Sequence, residues 1–155
     1  MISYYYSKCR GCTLIFVGII TILGLLLIAE AGAATIIVPD NYPTIQQAVN
    51  NAATGDSIFV RSGVYPENVV INKDLNIEGE DRKTTVIDGK GSDSVRIFNV
   101  DVAIRGFTIT NGRYGINAEI SSLNLSDAII NNSGGGIWFI NGKSLSLRDN
   151  IIENN

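Results

Sequence analysis

Asp127 and Asp149 stand 22 residues apart, and each closes the same run: Leu123-x-Leu125-x-Asp127 and Leu145-x-Leu147-x-Asp149. A chain that repeats in space as it does in sequence stacks these carboxylates on neighbouring turns, with Arg148 beside one of them. Two carboxyl groups that close raise the pKa of one, the arrangement that a carboxylate acid/base pair uses. The same register position holds Gly106 one repeat earlier, and Gly, Asp and Asn interchange where a turn needs a left-handed backbone. Gly79, Gly106, Asp127 and Asp149 are therefore read as turn residues, and the pair Asp127 and Asp149 with Arg148 is kept as the catalytic alternative. Composition narrows the chemistry further. The 155 residues include no His, two Cys and a single Met, at position 1. That removes the usual general base and the commonest metal ligand, so no metal or cofactor is expected. With 12 basic against 15 acidic side chains and a net charge of -3, a nucleic-acid partner is not expected either.

Asn111, Asn132 and Asn154 recur at the repeat spacing, with Asn131 and Asn155 beside them. They are read as a ladder of side chains hydrogen-bonded along the stack, in preference to a ligand site. Asp88, Asp93 and Asp101 surround Gly89-Lys90-Gly91 in a pattern open to Ca²⁺, but without EF-hand or nonapeptide spacing they read as a solvated acidic rim. Tyr65, Tyr114, Trp138 and Phe139 are the aromatic candidates for stacking on a sugar. Trp138 lies between the apolar Ile137 and Phe139, so alternation points it outward and makes it the best single binding candidate. Tyr65 and Glu67, in Gly63-Val64-Tyr65-Pro66-Glu67, are expected to serve the first coil through a packed ring and a turn, without touching a ligand.

The elements that must carry these residues follow from periodicity. Ile45, Ala48, Val49 and Ala52 fall at i, i+3, i+4 and i+7, which predicts a helix over 44–52, with Thr44 as N-cap and Gln47 completing a capping box. Beyond Thr54-Gly55-Asp56 the pattern changes to period two: Ile58 and Val60, Val69 and Ile71, Leu75 and Ile77. Val102-x-Ile104-x-Gly106-x-x-Ile109-x-Asn111 then recurs 21 residues on from Leu123 and a further 22 on from Leu145. Leu75-x-Ile77-x-Gly79 opens a longer coil, with Glu80 to Gly91 read as a loop insertion. Short strands that cannot bury an apolar side alone, repeated at this period, predict an all-β, right-handed parallel β-helix in which inward residues form ladders. A leucine-rich repeat shares the period but lacks its L-x-x-L-x-L-x-x-N run here. The helix would cap the N-terminal edge. The last coil reads as incomplete, which predicts further coils or self-association at the C-terminal edge.

The N-terminus reads as a targeting segment over 1–33. Lys8 and Arg10 precede an uncharged stretch, 11–29, followed by Glu30 and Ala31-Gly32-Ala33-Ala34. A cleaved secretory signal peptide and a retained membrane anchor both fit. In either case residues 34–155 are expected outside the cytoplasm, at the cell surface or in the periplasm. They hold no Cys, because Cys9 and Cys12 precede the apolar stretch.

Tyr42-x-Thr44-Ile45-Gln46-x-Ala48-Val49, Gly63-Val64-Tyr65-x-Glu67-Asn68-Val69-x-Ile71, Leu75-x-Ile77-x-Gly79 and Thr84-x-Val86-Ile87-x-Gly89 resemble the opening of the pectin lyase-like superfamily, pectinesterases included. The later coils are similar to β-helix repeats of secreted microbial surface proteins, among them NosD relatives. The pectinesterase resemblance implies ester hydrolysis by two Asp on neighbouring coils, with Gln donors for the oxyanion and an Arg that orients the nucleophile. Gln46 and Gln47, the only glutamines, belong to the cap, and Ile137-Trp138-Phe139-Ile140-Asn141-Gly142 lacks the Asp of the family's D-F-I-F-G segment. The metal-delivery role implied by NosD relatives is opposed by the lack of His, Cys and Met in the exported part. What remains is an exported, non-catalytic domain with a structural or carbohydrate-contacting role and a polysaccharide as partner. The alternative is a polysaccharide-modifying esterase or lyase.

Overall fold

Every third run of alternating residues returns to the same sheet, so the chain winds into a parallel β-solenoid of about five turns. The structure is a computed structural model describing residues 32–155. The signal or anchor expected over 1–33, including the stretch 11–29, lies outside the described residues but for its last two. Among the described residues, no helix is long and apolar enough to cross a membrane.

Three parallel sheets form the walls. The first holds β1 (Thr35–Val38), β2 (Ser57–Val60), β5 (Leu75–Gly79), β8 (Asp101–Arg105), β11 (Ser122–Ser126) and β14 (Ser144–Arg148). The second stacks β3 (Gly63–Tyr65), β6 (Thr85–Asp88), β9 (Thr108–Thr110), β12 (Ile129–Asn131) and β15 (Ile151–Glu153). The third stacks β4 (Val69–Ile71), β7 (Val95–Phe98), β10 (Ile116–Glu119) and β13 (Ile137–Ile140). Strand neighbours are one coil apart in sequence, so in-register repeats place like residues on like. Leu75, Val102, Leu123 and Leu145 form one inward ladder; Ile58, Ile77, Ile104, Leu125 and Leu147 form a second. Tyr65, Ile87, Ile109, Ile130 and Ile152 line the second sheet. Each buried aliphatic side chain removes apolar area from water worth about 1.5–3 kcal/mol, which no single coil achieves alone.

In the last three coils the turn between first and second sheets is made by a single left-handed residue. Gly106, Asp127 and Asp149 have φ of 76°, 48° and 56°. Gly79 occupies the equivalent place without a left-handed φ, and for a different reason: a side chain there would run into the carbonyl of Gly106 on the next coil. Two coils can approach this closely only where both residues lack a Cβ. The residues expected to form one long insertion, Glu80 to Gly91, instead contain β6, since Val86 and Ile87 keep the alternating pattern. Only the segment before β6 and the Gly89 to Ser94 turn depart from it.

The helix, α1 (Ile45–Asn51), closes the N-terminal end with Ile45, Ala48 and Val49 buried. The Thr44 hydroxyl accepts from the Gln47 N–H at 3.1 Å. The reciprocal half of the capping box comes from elsewhere: the Glu67 carboxylate, in the next coil, accepts the N–H groups of both Ile45 and Gln46 at 2.9 Å. An anion there also complements the helix dipole. Gln46 turns its amide onto the open edge of β4, accepting from Val70 N–H at 2.6 Å and donating to Val70 C=O at 3.2 Å, as a neighbouring strand would. Lys73 Nζ donates to the carbonyls of Asn50 and Ala52 and closes the other end of the helix. β1, a strand the alternation did not reveal, covers the edge of β2.

Asp56 ties β1 to this cap, accepting from Ala34 N–H and Ala53 N–H, each at 2.8 Å. Those two backbone bonds hold its carboxyl below the ordinary 3.8 against the opposing effect of burial. A depressed native pKa contributes stability that is present above the unfolded value and lost as pH falls through the native one. The thermal midpoint is therefore expected to hold from neutral pH to about pH 4 and to fall below it. Asp56→Asn, which keeps one acceptor only, should lower the midpoint at neutral pH and flatten the acid limb; an unchanged acid limb by circular dichroism melts would refute this assignment.

Candidate functional site

The outer face of the third sheet brings together the residues with most to offer a ligand. Alternation makes Val70, Arg96, Asn117 and Trp138 one outward column, a residue per coil. Phe98, Glu119 and Ile140 form a second column beside it. Trp138 is 47% exposed. Its ring centroid lies 5.3 Å from that of Tyr114, with 34° between planes, and the Arg113 guanidinium carbon sits 5.3 Å from the Tyr114 centroid. Cation, phenol and indole thus follow one another along the surface, at distances where ring and cation attract. Tyr114 lies where it does because the facing residue is Gly135: a Cβ there would come within 2.7 Å of the tyrosine ring.

Arg113 also joins this row to a polar triad. Arg113 binds Asp93 through Nε and Nη2, at 2.9 and 3.0 Å, and Asp93 Oδ2 also accepts from Asn117 Nδ2 at 2.8 Å. The Arg113 hydrogen bond, aided by Asn117, holds the Asp93 carboxyl below its ordinary value despite desolvation, and Asp93 in turn raises Arg113. Asn117 is buried although its strand position faces outward, and its Oδ1 has no hydrogen-bond partner. Sequence reasoning missed Asn117, because the other members of its column are Val, Arg and Trp. The Gly134-Gly135-Gly136 run was the one available signal that something large crosses that turn.

The other candidates fall elsewhere. Asp127 and Asp149 border one polar groove with Glu78, Glu80, Asp81 and Arg105. Arg82 reaches across it, pairing with Asp127 Oδ1 at 2.9 Å and donating to the Asp149 carbonyl at 3.2 Å. The cation beside the pair is thus Arg82, from the turn before β6, while Arg148 ends β14 in register with Ser126. Asn111, Asn132 and Asn154 are exposed, with left-handed φ of 56°, 52° and 56°. In the last coil the inter-coil asparagine bonds come from Asn150, which accepts from Ala128 N–H and donates to Leu125 C=O, and from Asn155, named beside the ladder, which does the same with Ser133 and Ile130. Tyr65 is buried, its hydroxyl donating to Arg61 C=O at 2.8 Å, and Phe139 packs against the core. Asp88 accepts from Lys90 N–H, and Asp101 lies 3.7 Å from Lys143. No group of three or more His, Cys, Asp or Glu among the described residues is placed to hold a metal ion.

A groove of about 500 Å³ runs over the first sheet, between the outward side chains of Ile37, Phe59, Asn76, Glu78, Ala103 and Arg105. Glu78 and Arg105 pair across it. Comparison with protein-family models, with curated proteins and with solved structures finds no match.

Proposed function

We propose that residues 34–155 form an exported β-helix of the pectin lyase-like kind, at the cell surface or in the periplasm, with a structural or carbohydrate-contacting role and without catalysis. The single observation that supports a carbohydrate contact is the half-exposed Trp138 backed by Tyr114 on the outer face of the third sheet. Aromatic rings present a broad apolar surface with fixed geometry, which suits the C–H face of a sugar, and a flat stacked sheet repeats such a surface along the axis of a polymer. Export is supported by the charged, apolar and small-residue sequence of 1–33, read as a cleaved signal or as an anchor through 11–29. The reading without catalysis is supported by the left-handed turns that Asp127 and Asp149 make and by Gln46, whose amide is taken up by the edge of β4.

The test is a polysaccharide-binding and hydrolysis assay with two variants. Trp138→Ala should weaken glycan binding about tenfold or more while leaving the thermal midpoint nearly unchanged, since the ring is half exposed. Asp127→Asn with Asp149→Asn keeps residues that tolerate a left-handed φ and should change stability little. Release of methanol or of unsaturated sugar by the wild type, lost in that double variant, would instead establish the esterase or lyase alternative.

A further inference from the structure

We propose that the amide oxygen of Asn117 is the polar anchor of a subsite for an uncharged sugar ring stacked on Trp138 and Tyr114. This rests on the reading of the third sheet's outer face as a glycan contact and adds the chemical class of the glycan. The Asn117 amide has a fixed orientation: Nδ2 faces Asp93 Oδ2 at 2.8 Å, and a carboxylate can only accept, so Oδ1 points away from it. That oxygen is buried and unpaired, in a residue 6% exposed, and a buried acceptor without a donor is unfavourable. It requires an O–H or N–H from outside the protein. Arg96 and Trp138 hold the register positions on either side, and the subsite requires one of these exposed side chains to move aside and uncover the oxygen.

The charges nearby set the class. Arg113 is doubly bonded to Asp93, and Arg96 lies 3.9 Å from Glu119. Two cations and two carboxylates cancel in net charge, and Arg113, the cation against the rings, already has both its bonds to Asp93, so the face carries no excess charge that would favour a uronate, a sulfate or an amino sugar. A neutral ring with its C–H face on Trp138 and one hydroxyl turned down to Asn117 satisfies both the platform and the orphan oxygen.

The experiment presents the full-length chain with immobilised neutral hexose and N-acetylhexosamine oligomers beside uronate and sulfated oligomers. Neutral oligomers should bind. Asn117→Val, a residue that Val70 shows the column accepts, should weaken them about tenfold, the loss of one hydrogen bond. Asp93→Asn keeps an acceptor for Asn117 Nδ2 and frees Arg113, so it should shift preference several-fold towards uronate oligomers; this holds even if the valine variant fails to fold. Wild-type binding confined to acidic oligomers, or neutral binding unchanged by Asn117→Val, overturns the assignment and leaves the glycan-contacting reading standing, with water as the occupant of Oδ1. Absence of wild-type binding to all four classes removes that reading itself, and the subsite with it.

Discussion

Tyr65→Ala is expected to lower the unfolding free energy by about 3–5 kcal/mol and the thermal midpoint by roughly 10–20 °C, before any change in glycan binding appears. The ring begins the ladder continued by Ile87, Ile109 and Ile130, and it is 8% exposed. Truncation removes a buried aromatic beside the cap, where only one coil remains to collapse into the space. It also deprives the Arg61 carbonyl of its 2.8 Å hydroxyl donor. Tyr65→Phe separates the two effects and should cost only about 1 kcal/mol, the net worth of that hydrogen bond. Trp138 belongs to another sheet, three coils on, so the folded fraction of Tyr65→Ala should bind as the wild type does. A binding signal lost in Tyr65→Ala at an unchanged melting temperature would place the tyrosine in the ligand site instead.

The repeat made most of this fold legible. Val102, Leu123 and Leu145 align in sequence at the spacing at which they pair in space, because one coil consumes 21 or 22 residues and parallel strands stack without shift. The same reasoning located the left-handed turn at Gly106, Asp127 and Asp149. It stopped where a residue answers to a partner one coil away that is not its repeat equivalent. Glu67 caps a helix that begins 22 residues earlier, and no local capping pattern contains it. β1 lacks an alternating polar partner in Thr35-Ile36-Ile37-Val38, so period two could not mark it; its place is fixed by the open edge of β2. Asp93 reaches Asn117 across 24 residues, from a turn whose length differs from the other coils.

That difference bears on the candidate site. The inward ladders constrain size and polarity so tightly that they carry no information about a ligand, whereas the outer columns vary freely: Val70, Arg96, Asn117 and Trp138 share nothing but register. A buried, half-satisfied amide in such a column is not required by the fold, since the strand pairs equally well with Val or Arg at that position. Packing rules account for Ile116 and Ala118 on either side of it, and do not account for Asn117.

A polypeptide of residues 34–155 is expected to associate into dimers through its last coil. Leu145, Leu147 and Ile152 are 42%, 45% and 44% exposed, whereas their equivalents one coil earlier, Leu123, Leu125 and Ile130, are at most 1% exposed. β13, β14 and β15 each end a sheet and pair on one side only. Asn150 and Asn155 turn their amides back to the preceding coil and so do not cover that edge. At the opposite end the apolar core is covered: the buried side of α1 lies over it, β1 lies on β2 and Gln46 occupies the edge of β4, although β1 and β3 also pair on one side only. One uncovered apolar end per molecule means that last coil meets last coil, and that contact is used up when two copies have joined; a polypeptide with apolar cross-sections at both ends would grow into fibres. Light scattering should find a mass that rises with concentration to that of a dimer. Leu145→Lys with Ile152→Lys, or further in-frame coils ending in a polar cap, should return it to a monomer, because charge on an exposed edge opposes strand addition. A stable, monodisperse monomer of the unaltered polypeptide would show that Leu145, Leu147 and Ile152 tolerate water without a partner, and the dimer would have to be abandoned.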